Sequence, residues 1–314
     1  MTRHYLDILA EVIRTNWNQP ALTDYATLDG GEGNSYTYGE MYGQICALCD
    51  RFHQLGIQKG DHIAICGANS ANWAVAYLAI AAYQAVSVTI LHSQTPEEIA
   101  RQIVFSDTKV IITDRNIGNE LQTQCRFSSI QMLLMEEIGA LESIQDTNVS
   151  FVYTHPEDLA QLCFTSGSND IAKAVMLPIR SLSNNVQNII EGFPSSQNSA
   201  MLSILPLAHV FGLTTEVLGQ LVRGKHIFLL GADISWQTIW QALNRVKPYA
   251  LSAIPFYIET LSNRYSHSFF ELLRNQCQQL HIGGAALNPN VEKDLLNHHI
   301  PFSVGYGATE SGPL

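Results

Sequence analysis

The chain has 314 residues, 46% hydrophobic and 14% charged, which is enough apolar material for a substantial core and about two domain-sized units. Its formal net charge of −11 argues against nucleic acid or an anionic membrane surface as the main partner, because either would require a basic face. An anionic ligand would have to be met by local donors.

Residues Tyr5 to Trp17 read as an amphipathic helix; Asp7 and Glu11 interrupt the uninterrupted apolar core that a signal peptide needs. Ala21 to Tyr25 and Tyr36 to Tyr38 flank a glycine-rich turn at Gly30–Asn34 and are expected to form a hairpin. Tyr38 to Leu55 is expected to be helical up to Gly56, and His62 to Cys66 to be a strand. Trp73 to Leu91 has nearly no charge and about the length of a membrane span. Its composition changes at Gln84 from alanine-rich to β-branched, which predicts a buried helix followed by a buried strand. Thr95 is placed to cap a helix over Pro96 to Phe105, and Lys109 to Thr113 reads as a strand.

Residues 116–150 carry no clear pattern, and Asp146-Thr147-Asn148 marks the expected boundary between an N-terminal α/β subdomain (1–150) and a second one (151–314). In the second half, strands are expected at Ala160–Phe164, Ala174–Leu177, Met201–Leu205, His226–Leu230, Ala250–Ala253 and Gln279–Ile282. Helices are expected at Arg180–Glu191, Leu213–Val222, Trp236–Val246, Phe256–Asn263 and Pro289–Asn297. This alternation predicts an α/β fold of two packed subdomains with largely parallel sheets flanked by helices. The six cysteines are scattered, and Cys46 and Cys49 fall inside an expected core helix in spite of their redox-like spacing, so a reducing cytoplasm fits.

Four segments carry chemistry. Leu162 to Met176 reads strand, polar loop, strand, with Thr165, Ser166, Gly167 and Ser168 followed five residues later by Lys173. Hydroxyls, glycine-flanked amides and an ammonium are what a polyphosphate requires, although such loops are more often ordinary turns. Leu205 to Gly212 places His209 at a strand end, either facing a ligand or only entering a helix with its ring bonded to backbone. In Ile282-Gly283-Gly284-Ala285 two missing side chains would let a ligand lie against the backbone, unless they mark a tight turn. Gly305-Tyr306-Gly307-Ala308-Thr309-Glu310 follows the short apolar strand Pro301–Val304. There Tyr306 could stack on a base, Thr309 hold a phosphate oxygen and Glu310 hold Mg²⁺, on the ligand side of such a sheet.

The order and spacing of these four segments resemble the adenylate-forming superfamily of acyl-CoA synthetases, firefly-type luciferases and peptide-synthetase adenylation domains, and within it the fatty-acid-type acyl-CoA ligases. The resemblance implies that a carboxylate attacks the α-phosphate of Mg-ATP, and that the acyl-adenylate then passes its acyl group to coenzyme A. It assigns Thr165, Ser166, Gly167, Ser168 and Lys173 to the β/γ phosphates, Thr309 to the α-phosphate and Glu310 to Mg²⁺. It also assigns Gly283, Gly284, Ala285 and Tyr306 to the adenine wall, with Gly307 beside them in the cofactor site, and His209 to the acid pocket near the reacting carboxylate. Lys173, His209, Thr309 and Glu310 are thus the candidate catalytic set.

The phosphate loop departs from the family pattern at Asn169, Asp170, Ala172 and Ala174. A carboxylate at Asp170 about 4 Å from a phosphate would repel it by roughly 4 kcal/mol at an effective dielectric near 20, which predicts weak ATP use. Phe211-Gly212 replaces the Phe-Asp pair that amino-acid-activating relatives use, so an acyl or aryl acid is expected. Val210, Phe211, Leu213 and Val217 are its candidate apolar wall, with plain core as the other reading of the same residues.

Relatives continue past the position of Leu314 with a ribose-binding aspartate, a hinge arginine and a small mobile domain carrying a lysine. The chain is therefore expected to be an N-terminal portion that lacks the C-terminal domain and does not turn over alone. Two alternatives remain: a non-catalytic relative acting as a nucleotide- or acyl-binding scaffold, and an acyl-AMP ligase that loads a carrier protein. Neither a nucleic-acid partner nor a transmembrane segment is expected, and a homodimer is left open.

Overall fold

The computed structural model describes residues 3–124, 130–142, 148–152, 154–165, 173–192, 200–231, 235–310 and 312–313. The N-terminal helix, Tyr5–Thr15, leads into the hairpin of β1 (Pro20–Asp24) and β2 (Ser35–Thr37). Then follow β3 (His62–Cys66), β4 (Val86–Ile90), β5 (Val110–Thr113) and β6 (Gln131–Leu134). β7 (Leu159–Thr165) and β8 (Lys173–Pro178) form an antiparallel pair. β9 (Ala200–Ser203), β10 (His226–Leu229), β11 (Ala250–Ala253), β12 (Gln279–Ile282) and β13 (Phe302–Val304) complete the larger strands. A small hairpin of β14 (Gly307–Ala308) and β15 (Gly312–Pro313) closes the chain.

The local chemistry accounts for these elements. Thr37 with Glu40, and Thr95 with Glu98, build reciprocal capping boxes that satisfy the first amides of helices Tyr38–Gln54 and Pro96–Phe105. Every residue from Ala71 to Ala81 is buried, so that helix lies inside the molecule, with Trp73 stacked on Tyr77 at 5.9 Å. Among the described residues no helix is long and apolar enough to cross a membrane.

The strands make two main sheets, ordered β6-β5-β3-β4-β7-β8 and β13-β12-β11-β9-β10-β1-β2. Apart from β1–β2 and β7–β8, all neighbours in them run parallel. Sheet membership crosses residue 150 in both directions: β7 and β8 join the first sheet, while β1 and β2 join the second. In the second sheet the order reverses at β9, because β10 lies on one side of it and β11, β12 and β13 extend on the other. The carboxyl end of such a strand opens a crevice that no crossover covers.

Two segments differ from the sequence reading. The helix expected to stop at Asn263 runs from Pro255 to Gln276 with a break at Ser266, whose φ of 44° and ψ of −124° are not helical. The polar run Ser262 to Ser268 hides this continuation, yet beyond the break Phe269, Phe270, Leu272 and Leu273 are buried. Residues 115–124 form a helix and β6 extends the first sheet, where no pattern was expected.

Candidate active site

Beyond β9 the chain runs as an irregular arm, residues 204–209, before turning helical at Val210. The helix widens into a π-helical segment at Leu213–Leu218, a deviation that recurs at functional sites. From this segment the side chain of Glu216 reaches back to the arm. Its carboxylate accepts from Ser203 Oγ at 2.8 Å, Leu205 N at 3.1 Å and Ile204 N at 3.4 Å. Complete burial pushes this carboxyl up to about 8, against the pull of its three donors.

A cleft of about 440 Å³ opens beside the arm, at the carboxyl ends of β9, β11, β12 and β13. That volume lies in the range of small-molecule sites. Its wall takes His209, Val210 and Phe211 from the arm and the helix entry, Ile254 from the end of β11 and Tyr257 from the helix that follows, Gly283 and Gly284 from the end of β12, and Gly305 to Thr309 from the end of β13. The structure thus brings His209, Gly283, Gly284, Tyr306, Gly307 and Thr309 to one concavity, although they span a hundred residues of sequence.

His209 occupies the helix N-cap position but makes no capping bond with its side chain; its backbone N–H donates to Pro206 O at 3.1 Å. The residue is exposed toward the cleft, yet the protein atoms around it lower its pKa by desolvation, which favours the neutral imidazole. A neutral ring at this place can donate or accept one hydrogen bond toward a carboxylic acid without adding charge. Tyr306 is 81% exposed at the rim, a flat apolar face with no covering group from the described chain. Tyr257 lies near Glu216, and its phenol is raised first by burial and then by that carboxyl's charge.

The two glycines serve different ends. A Cβ on Gly283 would lie 3.1 Å from Phe211 Cζ, so the ring of Phe211 packs on the bare backbone there. Gly284 has φ +84°, a left-handed turn that a residue with a side chain adopts only under strain. Of the expected apolar wall, Val210 and Phe211 reach the cleft, while Leu213 and Val217 are plain core.

Ala285 and Glu310 are exposed just past the lining residues Gly284 and Thr309. Thr165 and Lys173 are opposite one another at the end of the β7–β8 hairpin, on the first sheet rather than in this cleft. Ser166, Gly167 and Ser168, with the irregular positions Asn169, Asp170 and Ala172, lie outside the described residues. Sequence reasoning passed over Ile254, Tyr257 and Glu216. The ends of β11 offered one clue to the first two, since ligands gather at carboxyl ends of parallel strands. Glu216 gave none, because its partners are set by the π-helical turn.

The chain belongs to the AMP-binding enzyme family, whose model matches residues 9–314. It is 26% identical over 302 residues to 4-coumarate--CoA ligase 3 of Arabidopsis thaliana, covering 91% of this chain and 53% of that protein. It is 23% identical over 302 residues to the peroxisomal OPC-8:0-CoA ligase 1 of the same plant, covering 91% of this chain and 55% of that protein. The chain therefore spans about half the length of the curated relatives it matches.

Two solved structures share the fold. The inhibitor-bound N-terminal domain of FACL13 from Mycobacterium tuberculosis superposes with a TM-score of 0.83 at 20% identity, over 98% of this chain and 76% of that one. The N-terminal subdomain of Klebsiella oxytoca NpsA, in complex with 3-hydroxybenzoyl-AMSN, gives 0.83 at 17% identity, over 100% of this chain and 74% of that one.

Proposed function

We propose that this chain is the substrate- and nucleotide-binding portion of an AMP-forming acid–thiol ligase, which activates a carboxylic acid with ATP and transfers it to coenzyme A. One observation carries the reading: the cleft at the strand-order reversal gathers a histidine, an exposed tyrosine, glycine backbone and a threonine within one small concavity. Tyr306 and the backbone of Gly283, Gly284 and Gly307 would hold the adenine, with Ala285 beside them. Thr309 would hold the α-phosphate; Thr165, Ser166, Gly167, Ser168 and Lys173 are proposed for the β and γ phosphates from outside the cleft wall, since Thr165 and Lys173 end the β7–β8 hairpin and do not line it. His209 would face the carboxylate of the acid.

The donors at the hairpin tip fit a hard cation. Glu310 is an exposed carboxylate next to Thr309, and Mg²⁺ takes one or two carboxylates together with phosphate oxygens and water. When bound, the ion would neutralise charge on the phosphates. The chain's own part is positioning and electrostatic stabilisation. The arm fixes His209, and the β14–β15 turn presents Thr309.

A fatty acid is the first reading of the acid. The aromatic faces of Phe211 and Tyr257 on the cleft wall support a second, an acid with a flat aryl body. The test is acid-dependent release of pyrophosphate by the whole protein with a panel of alkyl and aryl acids. Release with the panel supports the ligase. Tight ATP binding without any release supports a non-catalytic scaffold, and release with transfer to a carrier protein alone supports an acyl-AMP ligase.

A further inference from the structure

In the first sheet the strand order reverses between β3 and β5, so a ligand crevice would be expected at their carboxyl ends. That crevice is closed. Asp114, just after β5, accepts from Ala68 N at 2.8 Å, and a Cβ on Gly67 would lie 2.8 Å from Asp114 Oδ1 and 2.9 Å from Met135 Cε. The loop after β3 instead turns outward to the second sheet through Asn69, which is 8% exposed.

The Asn69 side-chain amide reads the arm with both of its polar atoms. Its Nδ2 donates to Leu205 O at 2.7 Å, and Leu207 N donates to its Oδ1 at 2.9 Å. Thr89, on β4, adds a second tie from the same sheet, donating to Ala208 O at 3.0 Å while it accepts from Gln161 Nε2 at 3.0 Å. Glu216 holds the start of the arm from the other side. Among the described residues the arm has no strand partner of its own, and a buried backbone group without a partner is costly, so these side chains hold it where it lies.

We propose that Asn69 is a positioning residue for the cleft: a latch from the first sheet that fixes the arm and, through it, the place of His209. The unused crevice of one sheet thereby sets the geometry of the site on the other. This inference rests on the reading of the cleft as the active site only for its purpose; the latch itself is tested without substrate.

The test follows the His209 imidazole by NMR titration in the chain as it stands, in the native form, in Asn69→Leu, and in Thr23→Val as a control. The Thr23 hydroxyl bonds to Ser35 and His226 and not to residues 204–209, so its loss weakens the fold without removing a tie to the arm. With the latch removed, the arm loosens and the His209 pKa moves back up toward the ordinary imidazole value of about 6.5, while the control leaves it unchanged. A His209 titration identical in native and Asn69→Leu chains would overturn the proposal. Exchange of the Leu207 amide in the native chain gives an answer even if Asn69→Leu does not fold. Protection comparable to that of β9 amides supports the latch, and exchange at the rate of an open loop refutes it.

Discussion

Replacing Glu216 by leucine removes the acceptor for two short hydrogen bonds and one long one, from Ser203 Oγ, Leu205 N and Ile204 N. Each buried donor left without a partner costs about 1–3 kcal/mol, and leucine regains part of this through apolar burial, so a net loss of roughly 2–5 kcal/mol is expected. That is a large share of the roughly 5–15 kcal/mol that holds a typical domain together. Glu216→Gln keeps one acceptor and the shape but cannot ionise, which isolates the effect of pH. In the unfolded chain this carboxyl ionises near 4.5, whereas in the fold it keeps its proton until about 8. The folded state therefore holds the extra proton in that window. Its contribution is complete below 4.5 and is lost as pH rises toward 8, at about 1.4 kcal/mol per pH unit. Urea unfolding of native and Glu216→Gln chains across this range measures the difference. The reasoning is refuted if the stability gap between the two does not shrink as pH rises, or if Glu216→Leu is as stable as the native chain.

His281 gives the opposite slope. Burial, with the nearby Arg223 charge, lowers its pKa to about 4, so below the unfolded value of 6.5 the unfolded chain binds the extra proton and stability falls with acid. His281→Gln should be less acid-sensitive between those limits, and a midpoint in urea that tracks the native one at every pH would contradict this. Gly284→Ala forces a side chain into φ +84° with its Cβ 3.2 Å from Ile254 Cγ2, which should cost about 1–2 kcal/mol in thermal unfolding and narrow the cleft. An unchanged melting temperature would show that this turn is not strained.

Much of the fold was legible because its signals are local. Thr95 and Glu98 announce their helix within four residues, and the change at Gln84 separates a buried helix from β4 without reference to anything distant. Sheet membership was not legible, because β1 and β7 find their neighbours hundreds of residues away or across the expected boundary. The candidate site shows the same division. Tyr306, Gly307 and Thr309 fall within four consecutive residues and read directly, and His209 stood out at a strand end. The packing of Phe211 on Gly283 joins residues 211 and 283, so the missing side chain signalled a close approach without naming what approaches. Asn69 and Glu216 are ordinary polar residues in sequence, and only the folded arm reveals what they bind.

The central claim is that the cleft between the arm and the β14–β15 hairpin holds an adenylate. Calorimetric titration of the chain with a non-hydrolysable acyl-adenylate analogue tests it most directly, with Thr309→Val and Tyr306→Ala alongside. The account predicts saturable one-to-one binding, weakened about five- to tenfold by loss of the Thr309 hydroxyl bond and weakened again by loss of the Tyr306 ring. Absence of binding to the native chain, or binding indifferent to both substitutions, would contradict it.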